Sequence, residues 1–427
     1  MSDARVMAFS LLTKIYRDNA YSNIMLSDKS IDSLSPKDAS LCHLLVKGVL
    51  ERQISLDYNI SLYLNSPIKK LKPQVHILLR LGAYQIFFAD SIPDRAAINE
   101  TVNLAKQTGN SFATGLINAV LRKCSTNGFM LPNDKDTYKY LSVKYSYPEY
   151  ICKLYADYYG MEPAEGIMRH TLEKTLIYAR RNTLKNSKIK ANYKESQILP
   201  DAIELDGSFK NSDDIDNGLF HVCDLSSQLA CIATGAKPGE SVIDVCAAPG
   251  GKSIMIAELM NNNGSIISCD IHEHRLKLIE NNAKRLGVSI ISTVLRDAAV
   301  GSPDDGLYDL VVCDVPCSGL GVVSKKPEIK YKSFDDMNDL YELQYQILTK
   351  SASLVKPGGR LLYSTCTLNP KENIENVKRF KMNNQLFYSE KIFEDLPLFR
   401  DDDTATILPQ TFSSDGFFIA LFRRKMQ

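Results

Sequence analysis

Two patterns of apolar and polar positions divide the chain. Over residues 1 to about 130 the apolar positions recur at helical spacing. Ile77, Leu81, Tyr84 and Phe88 fall on one face, and Ile98, Val102 and Ala105 repeat the pattern after the turn Ser91-Ile92-Pro93-Asp94. Prolines at 36, 67, 73 and 93 punctuate the segment, and no clear period-2 run appears. This predicts an all-α domain over 1–130, and 124–136, with Asn127-Gly128 and Pro132-Asn133-Asp134, reads as a linker. Residues 139–235 mix one helical stretch (150–159) with a strand-like run (177–182) and turns near Gly207 and Gly218, which predicts a small α+β subdomain. From Ser241 onward, strands and helices alternate. Strands are expected at 241–245, 265–269, 289–295, 310–313 and 360–364, helices at 253–261, 273–286 and 339–355, and a last strand at 416–422. Such βαβ alternation predicts a doubly wound, Rossmann-like α/β domain over 236–427.

Composition sharpens this picture in three ways. The chain has 427 residues, enough for two or three domains, and its 44% hydrophobic and 24% charged content is that of a soluble globular protein. No apolar run approaches a membrane span of roughly 20 residues. The start, Met1-Ser2-Asp3-Ala4-Arg5, has no signal-peptide pattern, so a cytoplasmic protein is expected. The ten cysteines contain no CxxC pair and read as reduced thiols; no zinc or other metal site is expected. The net charge of +1 is unevenly spread. Residues 1–150 carry 18 basic and 13 acidic side chains, and the remainder 33 and 37, so the N-terminal third is the better polyanion-facing surface.

Two short cysteine motifs carry the chemistry. Asp314-Val315-Pro316-Cys317-Ser318-Gly319 follows the apolar run 310–313, and Thr365-Cys366-Thr367 follows the run 360–364. Both thiols therefore sit at the carboxyl ends of strands, where open α/β sheets hold ligands. A thiol beside a carboxylate suits covalent chemistry on an electron-poor ring. The alternative is a pair of buried core cysteines, a common fate of free thiols.

The loop after the first strand, Asp244-Val245-Cys246-Ala247-Ala248-Pro249-Gly250-Gly251-Lys252-Ser253, admits three readings. A P-loop fits at Gly251-Lys252-Ser253 but lacks its first glycine at Cys246, and Pro249 removes a backbone donor. A dinucleotide fingerprint, G-x-G-x-x-G, is absent. The third reading is an S-adenosylmethionine site. Ala247, Ala248, Gly250 and Gly251 permit close approach of the backbone. Asp270 at the end of the second strand would hold the ribose hydroxyls, and Asp297, after the third strand, the adenine end.

These residues resemble the NOL1/NOP2/Sun-type RNA cytosine-5 methyltransferases. The likeness runs through Cys246 to Lys252, Asp270, Asp297, Asp314 to Gly319 and Thr365-Cys366, in order and spacing. The N-terminal helices, including Pro93 to Lys106 and Asn118 to Arg122, resemble a NusB-like RNA-binding domain. The resemblance implies a monomeric enzyme methylating 16S ribosomal RNA before full small-subunit assembly. It implies Cys366 as nucleophile at cytosine carbon-6, Cys317 assisting release, Asp314 on the cytosine edge and also at the cofactor site, and Lys252 nearby. It implies Cys246, Ala247, Ala248, Pro249, Gly250, Gly251, Lys252, Asp270 and Asp297 around the cofactor. The sequence departs from the family pattern at Val315 (for Ala), Thr367 (for Ser) and Cys223 (for Gln), and has no Trp, with Tyr150 and Tyr331 in its place. Lys325, Lys326, Lys330 and Lys332, interleaved with Tyr331 and Phe334, are expected to contact RNA by charge and stacking. A vestigial, non-catalytic RNA-binding assembly factor is the alternative; the intact cysteines and cofactor loop argue against it.

Overall fold

Local signals start and stop the N-terminal helices. Ser35 caps one by accepting from the Asp38 backbone N–H at 3.2 Å, with Pro36 at its first position, and Pro73 opens another. The protein is seen in a computed structural model that describes residues 3–18, 22–26, 31–207, 209, 212–301, 306–333 and 337–426. The chain begins with α1 (Asp3–Asp18), α2 (Ser22–Leu26), α3 (Pro36–Glu51), α4 (Gln53–Ser61), α5 (Pro73–Phe88), α6 (Asp94–Gln107) and α7 (Thr114–Asn127). Three further helices follow: α8 (Thr137–Tyr145), α9 (Glu149–Tyr159) and α10 (Met161–His170). Leu11, Leu12, Leu45, Leu50, Leu78, Leu81 and Leu121 meet in the main helical core.

The chain folds as two compact units, Met1–Leu172 with Val323–Lys332, and Glu173–Val322 with Ser333–Gln427. The helices of 137–170 thus belong with the N-terminal ones, whereas the periodicity had placed everything from 139 onward with the α+β subdomain. The expected linker also begins late, because Cys124 lies fully buried within α7.

The excursion of residues 323–332 into the helical unit corrects another expectation. Its short 3-10 turn Pro327–Tyr331 buries Lys330, only 1% exposed, whose Nζ donates to the Glu51 carbonyl at 2.9 Å and lies 4.5 Å from the Tyr147 ring centre. Tyr331 directs its hydroxyl at Ser146 (3.1 Å to Oγ), and the Tyr150 hydroxyl donates to the Lys332 carbonyl at 2.7 Å. Lys330 and Tyr331 are therefore interior packing of this unit and not an RNA-facing surface. Lys325 and Lys332 remain exposed, and Phe334 lies outside the described residues.

The second unit opens with a four-stranded antiparallel sheet of β1 (Ile177–Arg181), β2 (Tyr193–Glu195), β3 (Ala202–Leu205) and β4 (Phe220–Val222), ordered β2-β3-β1-β4. Then come α11 (Leu225–Ala233), β5 (Ser241–Asp244), α12 (Gly251–Leu259), β6 (Ser265–Asp270), α13 (Glu273–Leu286), β7 (Ile291–Leu295) and β8 (Tyr308–Asp314). The chain ends with α14 (Asn338–Ser353), β9 (Val355–Thr365), α15 (Ile374–Asn383), β10 (Phe387–Glu390), β11 (Ala405–Ile407), α16 (Pro409–Phe412) and β12 (Phe417–Arg424). The large sheet runs β10-β12-β9-β8-β5-β6-β7, with β11 beside β12. Strands β5 to β9 pair in parallel, while β12 is antiparallel to its neighbours. Order reverses between β5 and β8, and at that switch point the crevice at the strand carboxyl ends receives ligands. The buried Arg180 of β1 donates to Glu258 of α12 at 2.8 Å, fastening the small sheet to the helix behind the crevice. No helix among the described residues is long and apolar enough to cross a membrane.

Burial pushes the Lys330 amine down to about 7, against the opposing pull of Glu51. An unfolded chain holds this proton up to ~10.4. Between those values the unfolded state binds the extra proton, so stability rises with pH across the window and falls as pH drops toward 7. Lys330→Met should remove that slope. Its gain in melting temperature over the natural chain should be greatest near neutral pH and fade toward pH ~10, as thermal unfolding at several pH values would show.

Candidate active site

The site is assembled from loops at the carboxyl ends of β5, β6, β8 and β9. After β5 the chain turns through Cys246 to Gly250 and enters α12 at Gly251. Ala247 N–H donates to the Cys269 carbonyl at 2.8 Å, which holds the turn against β6. Gly250 has φ +102°, and a Cβ there would stand 3.1 Å from Cγ2 of Ile279 on α13. Both the backbone conformation and the helix contact demand glycine. At Gly251 a Cβ would meet nothing within 4 Å, so the loop is open on that side. Beneath it, Asp244 is buried and takes a hydrogen bond from Ser253 at 2.7 Å. Burial raises its carboxyl to about 6, although the Ser253 bond works against the rise.

Asp270 ends β6 and is 4% exposed. It accepts from the His272 backbone N–H at 3.0 Å and pairs with Arg275 at 3.0 Å, and Arg275 also donates to the Ala248 carbonyl at 3.1 Å. Arg275, absent from the sequence prediction, therefore ties the β6 terminus to the β5 loop; nothing in the local pattern marked it. Ile271, next in the chain, leaves an apolar side chain 56% exposed beside this carboxylate. Asp297 stands apart from these contacts: it is exposed, and its carboxylate accepts from the Ala299 N–H at 2.9 Å.

Strands β8 and β9 are parallel neighbours with Asp314 opposite Ser364. Asp314 takes a hydrogen bond from Ser364 Oγ at 2.7 Å and an ion pair from Lys252 Nζ at 2.7 Å. Burial acts to discharge Lys252, but the adjacent Asp314 carboxylate outweighs it and the ammonium is held above its ordinary range. The Lys252 Nζ also lies 4.9 Å from the centre of the Phe417 ring. Two residues beyond Ser364 and three beyond Asp314, the Cys366 and Cys317 sulfurs approach to 3.2 Å as free thiols. Cys317 keeps its proton well above the usual thiol range, first through its hydrogen bond to Cys366, then through burial and the charges of Cys366, Glu372 and Asp314.

The two cysteine loops are cross-linked by backbone and side-chain bonds. Gly321 N–H donates to the Cys366 carbonyl at 2.9 Å, and Gly416 N–H to the Gly321 carbonyl at 2.8 Å. A Cβ on Gly321 would lie 1.9 Å from the Gly416 oxygen, so no other residue fits that approach. The hydroxyls of Ser318 and Thr367 lie 2.7 Å apart. Of the expected site residues, the structure gathers Lys252 with Asp314, Cys317 with Cys366, and Asp270 with the 246–252 loop. Among the described residues no cluster of His, Cys, Asp or Glu could hold a metal.

This fold and this strand-end site define an S-adenosylmethionine-dependent methyltransferase joined to a NusB-type helical domain. Residues 232–423 match the family model for 16S rRNA methyltransferase RsmB/F, and residues 2–126 match the NusB family. The "Probable ribosomal RNA small subunit methyltransferase B" of Bacillus subtilis (strain 168) is 38% identical over 446 residues, covering 99% of both chains. The crystal structure of PH0851 superposes with TM-score 0.78 at 26% identity, covering 93% of this chain and 92% of its own. That of NSun6 from Pyrococcus horikoshii with SFG gives 0.59 at 22% identity, covering 66% and 98%, a likeness of fold. The chain belongs to the RsmB/F family of 16S rRNA methyltransferases.

Gly250→Ala should cost about 1–3 kcal/mol, the scale for forcing a side chain into a positive-φ conformation against a packed helix. Denaturant unfolding of the full chain measures it; a loss within error of zero would mean α13 yields freely.

Proposed function

We propose that the protein transfers a methyl group from S-adenosylmethionine to carbon-5 of a cytosine in 16S ribosomal RNA, through a covalent adduct with Cys366. The observation that carries this reading is the convergence of two thiols, 3.2 Å apart, at the ends of β8 and β9, on the same strand termini as the Lys252–Asp314 pair.

The residues present fit the cofactor. Gly250 and Gly251 bring bare backbone to the crevice, Asp270 offers a carboxylate to ribose hydroxyls, and the exposed Ile271 offers an apolar surface to adenine. When bound, the cofactor supplies an electrophilic methyl sulfonium. The chain's own groups must make cytosine a nucleophile. The target base has to leave its stack before any thiol can reach it. Cys366 adds as thiolate to carbon-6; the new S–C bond pushes the ring electrons toward carbon-5, which takes the methyl group. Asp314, its two oxygens oriented by Lys252 and Ser364, hydrogen-bonds the amidine edge of the ring and shares a proton as charge builds there. Cys317, as thiolate, then takes the carbon-5 proton, and the electron pair of that C–H bond returns the ring double bond and expels Cys366 as thiolate.

The resting arrangement supports this division of labour between the thiols. Cys317 is held protonated, chiefly by its hydrogen bond to Cys366 3.2 Å away. Once Cys366 is bonded to carbon, its negative charge and acceptor role are gone. The main cause of the raised Cys317 value goes with them, so Cys317 becomes easier to ionise at the stage when a base is needed.

Cys366→Ala should be inactive and form no adduct, whereas Cys317→Ala should methylate, release slowly and accumulate a protein–RNA complex that survives denaturing electrophoresis and carries the methyl group. The adduct appearing in Cys366→Ala and not in Cys317→Ala would reverse the roles. Two variants that only lose stability, neither trapping RNA, would mean structural cysteines.

Asp270→Ala should weaken S-adenosylmethionine binding by about 1–3 kcal/mol, the cost of leaving polar partners unpaired. Calorimetry on the folded variant measures this, and unchanged affinity would remove Asp270 from the site.

A further inference from the structure

The chain that follows Cys366 returns to the two thiol loops through one buried side chain. Glu372, fully buried just before α15, takes five hydrogen-bond donors on its two carboxylate oxygens. The Ser318 backbone N–H reaches Oε2 at 2.8 Å and the Gln344 amide reaches the same oxygen at 2.9 Å. Oε1 receives the Ser318 hydroxyl at 2.5 Å, the Asn369 amide at 3.1 Å and the Thr367 hydroxyl at 3.3 Å. Gln344 also donates to the Pro316 carbonyl at 2.9 Å, so it grips the Cys317 loop from the other side.

The positions of these donors are informative. Pro316 and Ser318 flank Cys317, and Thr367 follows Cys366. A buried carboxylate with no cationic partner in its shell is costly unless every lone pair is used. Among the described residues the compensation comes wholly from neutral donors, and three of the five belong to residues adjacent to the thiols. A scaffold that merely needed filling would be served by an apolar side chain at lower cost. We propose that Glu372 is a positioning residue for both thiols: by binding Ser318 and Thr367 on one carboxylate, it fixes the Cys317 and Cys366 sulfurs on a common target.

The inference rests on the thiol chemistry proposed above, but geometry and chemistry can be read separately. Dibromobimane becomes fluorescent when it bridges two neighbouring thiols and needs neither RNA nor cofactor. Bridging of Cys317 and Cys366, assigned by peptide mapping, reports their alignment in the full chain, and methyl transfer reports the reaction. Glu372→Gln keeps the shape but turns an amide toward amide donors. It should lower both bridging and methyl transfer at least about tenfold, the scale of misplacement near reacting atoms, with S-adenosylmethionine affinity unchanged. If Glu372→Gln does not fold, Ser318→Ala/Thr367→Val, which leaves the carboxylate in place, is read by the same two measurements. Bridging at the natural rate in a folded, cofactor-binding variant overturns the proposal, whatever happens to transfer. Bridging lost while transfer persists would uphold Glu372 as the positioner and count against the thiol chemistry.

Discussion

Everything at this site hangs on one pairing: β8 and β9 are adjacent parallel strands, with Asp314 beside Ser364. Parallel neighbours send their following loops off the same edge of the sheet, so two motifs 49 residues apart in the chain meet as sulfur against sulfur. A register slip of one residue would turn every side chain on one strand to the opposite face. Asp314 would then lose Ser364, and the loops would leave from mismatched depths. The strand register therefore sets the geometry of the site as well as the fold.

Around that pairing, the site balances burial against charge. Lys252 is poorly hydrated, yet it stays charged because Asp314 is within contact distance. Cys317 keeps its proton through its hydrogen bond to Cys366 and its burial, with the charges of Glu372 and Asp314 adding to both. Carboxylates thus hold the proton on both groups: on Lys252 they oppose desolvation and keep the charge, and on Cys317 they add to desolvation and keep it neutral. Asp244, buried beneath the cofactor loop, is pushed toward its neutral form by desolvation despite its bond from Ser253.

Much of this was legible in the chain because it is local. The helix expected at 273–286 matches α13, which ends at Gly287 with φ +77°. The 246–252 loop, Asp270, Asp314 and the two cysteines follow recognisable apolar runs. Short strands such as β2 and β11, three residues each, offer too few positions for a period to register. Contacts between distant residues left no trace: Arg275 on the 248 carbonyl, or Glu372 gathering Pro316, Ser318 and Thr367 through direct and Gln344-mediated bonds. Lys330 was misread for a related reason. A lysine between aromatic residues looks like a nucleic-acid contact, and only the fold reveals that its stem and amine are packed among Tyr147, Tyr331 and the end of α3.

The loop out of the catalytic unit at Val323–Lys332 bears on how such a protein is inherited. A tandem fusion of two modules can be undone by one cut in a linker. Here no single cut separates the units, because ten residues of the second sequence half lie within the first structural unit. A shortened gene beginning after Leu172 would retain Val323, Pro327, Ile329 and Lys330, all side chains suited to an interior that was no longer there. Its product would carry a ten-residue segment, starting six residues after Cys317, whose packing partners were missing. The second half of the sequence thus carries, close after Cys317, a segment that belongs to the helical unit.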